Sequence, residues 1–296
     1  MKRQDDLLLW SFLIAIASMW GSAYLFIWLS VTMVPPFALA ALRGGIGAIA
    51  LAALFPIMGQ RLGLSRDHLV PMVVLGMTNG WLSNVLTALA APQIDSAKAG
   101  MINASTPLFT MLLAHVWIRQ ERLHTGTVLG LIVGFAGIFV LIGPEAVLGG
   151  SGTLLGHLLI IGVALCYAAG TVYGRLKKPS NPAQLALGQL VCAAIPAALV
   201  SAVLETDWHL PRQPVVILSL LALGVYCTAL PAVMYWTLLR RFPATNVATV
   251  SYIIPVWAAA LGVTILGEPL TWHAVVGCGV VLLGVWIANH AAGRQS

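Results

Sequence analysis

The chain has 296 residues, of which 59% are hydrophobic and only 8% are charged. A soluble globular domain carries about 25% charged residues, so this composition excludes a mainly water-facing surface. The net charge of +6 does not indicate nucleic-acid binding, because the basic residues lie in short segments between apolar runs, where they act as membrane topology signals.

The first apolar run, roughly Leu7 to Val31, follows Lys2 and Arg3 as a signal peptide would. It is longer than the usual apolar region of a signal peptide, about 7–15 residues, so we interpret it as an uncleaved helix. A bilayer core requires about 20 apolar residues in helical form. Cutting the chain at charged and Pro/Gly/Asn clusters predicts an all-α membrane protein with ten transmembrane helices near 8–30, 35–58, 68–90, 96–118, 125–143, 153–174, 183–204, 214–239, 244–266 and 271–290.

The basic residues indicate how these spans are oriented. With the N-terminus inside, Lys98 and Arg212 fall on the outer side and Arg43 lies within the second span. The other 12 of the 15 basic residues then fall on the inner side. Cytoplasmic loops carry an excess of Lys and Arg, so the sequence predicts a multi-pass protein with both termini cytoplasmic.

The two halves of the chain share residues at one offset. Five residues near the fifth span recur 147 positions later: Glu121, Leu123, Val128, Gly130 and Gly137 correspond to Glu268, Leu270, Val275, Gly277 and Gly284. Pro35 recurs as Pro182 at the same offset, and a slip of one residue aligns Gly76 with Gly224 and Pro107 with Pro255. Each half holds five spans, an odd number, so the second half enters the membrane from the opposite side. We expect two inverted five-helix repeats, residues 1–146 and 147–296, an arrangement suited to alternating access around a central cavity.

Several motifs resemble the EamA-type members of the drug/metabolite transporter superfamily: Trp20-Gly21-Ser22, Arg43, Pro107 with Glu121-Arg122, and the run from Pro255 to Glu268. The resemblance covers nearly the whole chain and implies two EamA repeats. It further implies that spans 1, 3, 4, 6, 8 and 9 surround the cavity, with spans 5 and 10 outside them. The bacterial inner membrane is the usual location of this family, which exports amino acids, nucleosides, drugs and other metabolites.

Polar and aromatic side chains near the middle of the spans are the candidates for substrate binding. Amides and phenols are costly in hydrocarbon unless they pair or face a wet cavity. We expect eight of them to converge on one cavity: Trp20, Tyr24, Trp81, Asn84, Asn103, Tyr167, Tyr226 and Tyr252. The alternative is that they form interhelical hydrogen bonds or belong to an aromatic belt at the membrane surface.

Arg43 is the remaining binding candidate, since it is a basic residue well inside a span. An intramembrane cation is a functional candidate by default and could attract a carboxylate or phosphate of the substrate. Equally, its long side chain could pair with helix-end carbonyls or extend outward to the membrane surface.

The leading interpretation is a secondary transporter that exports small metabolites such as amino acids. A broad-specificity exporter of drugs or toxic cations is the alternative within transport, but none of the nine acidic residues falls at mid-membrane depth, where a proton-driven cation pump holds a carboxylate. Accordingly, we expect transport that does not depend on a deep proton-binding carboxylate. A non-transporting membrane scaffold remains an alternative from another class.

An intramembrane enzyme is the other alternative from outside transport. The sequence lacks a nucleophile–base set, a His-Glu-x-x-His motif and a phosphate-binding loop, so no catalytic residue is assigned. No cofactor or metal is expected, because Cys166, Cys192, Cys227 and Cys278 lie singly in apolar runs. The expected partners are a small solute and the lipid bilayer, without nucleic acid. The sequence leaves the oligomeric state open, a monomer included.

Overall fold

The computed structural model describes residues 2–57, 59, 69–118, 124–147, 153–177, 181–242, 247 and 249–293, and the regular structure in these ranges is helical. In chain order the helices are α1 (Lys2–Ser30), α2 (Pro36–Leu54), α3 (Leu69–Ala90), α4 (Ser96–Asn103), α5 (Thr106–Trp117), α6 (Thr125–Val147), α7 (Leu154–Lys177), α8 (Pro182–Leu204), α9 (214–241), α10 (Val250–Ile265) and α11 (Trp272–Gly293).

Eight helices of the described ranges are long and apolar enough to cross a membrane: α1, α2, α3, α6, α7, α8, α9 and α11. The prediction of an all-α, multi-pass membrane protein is therefore confirmed at this level. The predicted spans that correspond to the eight helices lie close to the observed bounds. The two remaining predicted spans, near 96–118 and 244–266, differ from what the structure contains.

The span predicted near 96–118 is divided into two short helices, α4 and α5, by a turn at Ala104 and Ser105. The cause is Pro107, which has no N–H to donate to the carbonyl of Asn103 one turn earlier. Instead, the hydroxyl of Thr106 donates to that carbonyl at 2.7 Å. The break therefore leaves Asn103 at the end of a helix rather than in the middle of one.

The span predicted near 244–266 corresponds to α10, which has only 16 residues in the structure. The predicted start at residue 244 lies outside the described residues. At its other end, α10 stops before Gly267, whose φ of 69° lies in the left-handed region. Glycine adopts this conformation readily and commonly ends helices there.

Two helices contain a π-helical segment, Gly76–Leu82 in α3 and Ala222–Ala229 in α9. In the second, the hydroxyl of Thr228 donates to the carbonyl of Leu223 at 2.7 Å. A π-turn holds more residues than an α-turn, so it rotates the helix face before it relative to the face after it.

Helices α6 and α11 pack closely and run antiparallel. A Cβ atom built on Gly130 would lie 2.7 Å from the carbonyl oxygen of Gly284, and one built on Gly137 would lie 3.0 Å from that of Gly277. Helices α2 and α8 are also antiparallel neighbours, because Ala40 clusters with Ala197 and Leu51 with Ala183. Small residues at such contacts let helix backbones approach closely within a membrane.

Candidate substrate cavity

A cavity of about 440 Å³ lies between the helices. Its lining comes from α1, α2, α3, α7, α8, α9, α10 and the α4–α5 break; within the described chain, α6 and α11 contribute no residue to it. Small-molecule sites in proteins typically enclose about 300–1,000 Å³. The cavity therefore has the size for one small solute.

Arg43 projects from α2 into the cavity, where two neighbours fix its guanidinium. Its Nε donates to the Thr228 hydroxyl at 3.2 Å, and its Nη1 donates to Oδ1 of Asn84 at 3.0 Å. These partners belong to α9 and α3, so Arg43 joins three helices at the cavity wall. Both partners are neutral, so neither of them balances the positive charge of Arg43.

Amide side chains form much of the remaining polar surface. Asn79, Asn84, Asn103 and Gln189 line the cavity. The Thr106 hydroxyl donates to Oδ1 of Asn103 at 3.1 Å. The helix break thus presents an amide to the cavity that can both donate and accept.

Aromatic rings form the other part of the wall. Trp20 and Tyr235 stand with ring centroids 5.5 Å apart in a tilted arrangement, and Tyr24 and Tyr167 also line the cavity. Such rings offer apolar contact to a solute and a polar edge to water or to amides.

No carboxylate lines the cavity in the part of the chain that the structure describes. Asp95 and Glu268 lie near the ends of α4 and α10 instead, while Glu121 falls outside the described residues. Lys98, predicted to lie on the outer side, belongs to α4; its side chain is only 5% exposed, and its Nζ is 3.2 Å from Asp95. Among the described residues, no three His, Cys, Asp or Glu side chains could together hold a metal ion.

One end of the cavity, here called the closed end, is sealed where α1, α3 and α8 finish and α2 and α4 begin. Val34 and Ile94 are buried there, and the Trp28 indole donates to the Ile94 carbonyl at 3.1 Å. Two carboxylates cap helix N-termini at this end. Those of Glu205 and Glu268 accept from backbone N–H groups at the starts of α2 and α4.

The opposite end of the cavity, here called the open end, is less covered. Thr171 is exposed and Trp20, Tyr235 and Ser251 are only half-buried, whereas Ile27 and Thr87 toward the closed end are 3% and 4% exposed. The cavity is thus accessible from one side.

Six predicted binding residues line this cavity: Trp20, Tyr24, Arg43, Asn84, Asn103 and Tyr167. Trp81, Tyr226 and Tyr252 do not, so the expected convergence of all the aromatic and amide candidates is corrected for these three. The π-turns explain two of the exceptions, because Trp81 and Tyr226 lie within them and their direction does not follow from an α-helical wheel.

The three displaced residues have other surroundings. Trp81 packs against Ala40 and Ala197, and its indole N–H is buried without a hydrogen-bond partner in the described structure. The Tyr226 hydroxyl is 3.5 Å from that of Ser18. Tyr252, in the first turn of α10, accepts a hydrogen bond from Asn289 of α11 at 3.1 Å, so it faces the neighbouring helix.

The lining residues that were not predicted from the sequence include Asn79, Gln189, Thr228 and Tyr235. Gln189 and Thr228 were detectable as polar residues in otherwise apolar runs. Asn79 faces the cavity from the π-turn of α3, and Tyr235 becomes recognisable only through its contact with Trp20.

Comparison with known proteins gives two matches to one family along the chain. The model of the EamA-like transporter family matches residues 8–143 and 154–289. A crystal structure with 23% sequence identity has the same fold, with a TM-score of 0.68 over 100% of both chains.

Similar sequences include several proteins named as transporters. An uncharacterized transporter of Archaeoglobus fulgidus is 28% identical over 279 residues, which is 94% of this chain and 97% of the relative. A probable amino-acid metabolite efflux pump of Salmonella typhimurium is 26% identical, covering 97% of this chain and 95% of its own length. The uncharacterized inner membrane transporter YedA of Escherichia coli is 27% identical, and the match covers 96% of this chain and 92% of the relative.

Proposed function

The chain belongs to the EamA-like transporter family, and on this premise we propose that it is a secondary transporter that exports small metabolites such as amino acids by alternating access. Membership indicates a transporter rather than an enzyme. The observation that carries the finer proposal is the single-sided cavity lined by Arg43, amides and aromatic rings. Such a wall can bind the polar backbone and the apolar side chain of an amino acid at once.

An inverted ten-helix repeat is part of the proposal. At the 147-residue offset, α6 and α11 are counterparts, as are α2 and α8. Each pair runs antiparallel, with Gly130 near Gly284 and Gly137 near Gly277 in the first pair. A repeat of unchanged orientation would make counterparts parallel. The separate family matches at 8–143 and 154–289 also support repeats near 1–146 and 147–296. On this reading, α4 with α5 makes the fourth span and α10 the ninth.

The proposed orientation has both termini in the cytoplasm of a cell whose inner membrane the protein spans. The excess of Lys and Arg on one side supports the orientation, and the name of the YedA relative, an inner membrane transporter, supports the location. The cavity then opens to the cytoplasm and its closed end faces outward. This is the state in which an exporter takes up solute before the two repeats rock around the site.

Export of organic cations fits this cavity less well. An anionic partner favours the binding of a cation in a low-dielectric wall, and the described lining offers Arg43 instead. The amino-acid proposal also agrees with the name of the Salmonella typhimurium relative, the probable amino-acid metabolite efflux pump.

The test is solute flux in proteoliposomes loaded with a panel of labelled amino acids, nucleosides and cationic dyes. We expect efflux of one or more amino acids above that of protein-free liposomes. Tyr167→Ala, which alters the cavity, should reduce it, while Phe139→Ala, at a ring 78% exposed on α6, should not. A panel in which nothing moves, or in which both variants behave alike, would contradict the proposal.

A further inference from the structure

Arg43 is a half-buried charge at the cavity wall, and the described structure gives it no counter-ion. The structure records its bonds to Asn84 and Thr228, both neutral. A guanidinium has five N–H groups, so three are left without a protein partner in the described part of the chain. No carboxylate among the described residues forms an ion pair with it; the one recorded ion pair there joins Lys98 and Asp95.

We propose that Arg43 is the binding site for a carboxylate of the transported solute, and that the cavity therefore selects acids and zwitterions over amides, esters and net cations. This inference rests on the proposed transport function and names its substrate class. A charged group in a membrane interior is retained where it pairs or serves a transported solute, and a carboxylate matches the fork of the guanidinium.

The surroundings of Arg43 fit a ligand of this class. Asn84 and Thr228 hold Nη1 and Nε, so the guanidinium is oriented before the solute arrives. Asn103 and Tyr24 line the same cavity. The solute ammonium, where one is present, meets amide oxygens and ring faces rather than a carboxylate, which would bind cations generally.

Asn84 gives the means to separate a binding role of Arg43 from a structural one. Its Oδ1 is 3.0 Å from Nη1, so Asn84→Asp puts a carboxylate of nearly the same shape beside the guanidinium. If Arg43 only joins helices, this internal ion pair should preserve or strengthen its role. If Arg43 binds solute, the internal carboxylate competes with the solute and weakens its binding.

The experiment is a thermal-shift titration of the purified full chain with matched probes: the free amino acids, their amides, and 3-phenylpropionate with 3-phenylpropionamide. A ligand that binds only the folded state raises the apparent stability. We expect at least one acid to stabilise the protein while its amide does not. Asn84→Asp, through competition, and Arg43→Gln, through loss of a charged hydrogen bond, should each weaken the binding of that acid by about 10-fold or more. Thr228→Val, which keeps the charge, should weaken it less.

Equal stabilisation by acid and amide, no stabilisation by any acid, or full acid binding by Asn84→Asp would overturn the inference. Should Arg43→Gln fail to fold, Asn84→Asp still decides the matter, since it keeps the shape of the side chain. Flux separates the two proposals. If cationic dyes or amides cross the liposome membrane through the protein and acids do not, transport stands and the carboxylate site fails. If nothing crosses, the proposed function itself fails.

Discussion

The carboxylate of Glu268 reaches from the segment after α10 to Ser96, the first residue of α4. It accepts a hydrogen bond from the Ser96 backbone N–H at 2.7 Å and one from the Ser96 hydroxyl at 2.9 Å. The first backbone N–H groups of a helix have no partner within the helix and lie at the positive end of its dipole. A carboxylate from the other half of the chain therefore caps α4. The two halves are thereby joined at the closed end.

Replacing this carboxylate should loosen the closed end. We expect Glu268→Gln to lower the free energy of unfolding by about 1–2 kcal/mol, the usual value of a charged N-terminal cap. The measurement is chemical denaturation of the purified protein. Asp207→Asn is the matched control, because Asp207 is an exposed acid at the same end that bonds only to Thr206 in the described structure. Equal effects of the two substitutions would refute a specific cap.

The break between α4 and α5 should matter for transport more than for stability. Pro107→Ala supplies the missing N–H, so the Asn103 carbonyl can accept a helical hydrogen bond and the turn at Ala104–Ser105 can straighten. We expect flux to fall several-fold while the unfolding free energy stays the same or rises. Pro92→Ala, at an exposed proline of the α3–α4 turn, is the control. Unchanged flux in Pro107→Ala would show that the break is dispensable.

The contact of α6 with α11 should tolerate no added methyl group at Gly130. A Cβ atom there would lie 2.5 Å from the Ala288 nitrogen, so we expect Gly130→Ala to destabilise the protein by about 1–3 kcal/mol. At Gly279, also on α11, a Cβ atom meets nothing within 4 Å. Gly279→Ala should then be neutral or stabilising by up to about 1 kcal/mol. The measurement is the thermal unfolding of both variants. If Gly279→Ala proves less stable than Gly130→Ala, α6 and α11 do not pack as described.

Trp81 should be dispensable for transport although it is a tryptophan within the membrane. Its indole N–H is buried without a partner in the described structure, so Trp81→Phe removes an unsatisfied donor and keeps most of the ring. We expect unchanged flux and equal or greater stability, whereas Trp20→Phe, at the cavity wall, should raise the KM for transport. If Trp81→Phe impairs transport as much as Trp20→Phe does, Trp81 belongs to the substrate-binding site after all.

Solute flux should proceed without a pH gradient. No carboxylate lines the described cavity, and Asp95 lies outside it, beside Lys98. We expect exchange of labelled for unlabelled amino acid at the same rate with and without an imposed pH gradient across the liposome. Accumulation that requires the gradient and disappears in Asp95→Asn would establish proton coupling instead.

Hydrophobic run length predicted the helices well, because lipid imposes both a minimum length and an apolar surface. The break after Asn103 could also have been predicted, because Pro107 and Thr106 together cause it. The length of the apolar run alone predicted a continuous span. Rotation about each helix axis was harder. For Trp81 and Tyr226 it depends on π-turns, and for Tyr252 on where α10 begins. Arg43 was visible as a charge, but Thr228 as its partner comes from a helix 185 residues away.

The two π-turns bear on the history of the chain. Such turns make up well under about 1% of residues in proteins, yet one begins at Gly76 and the other includes Gly224, residues that align between the proposed repeats. Each turn contains a residue more than a regular helix would need. Two separate insertions at the same place are a poor explanation for so rare a feature. On the proposed repeat, a single extra residue in the unit from which both halves derive would account for the two turns together.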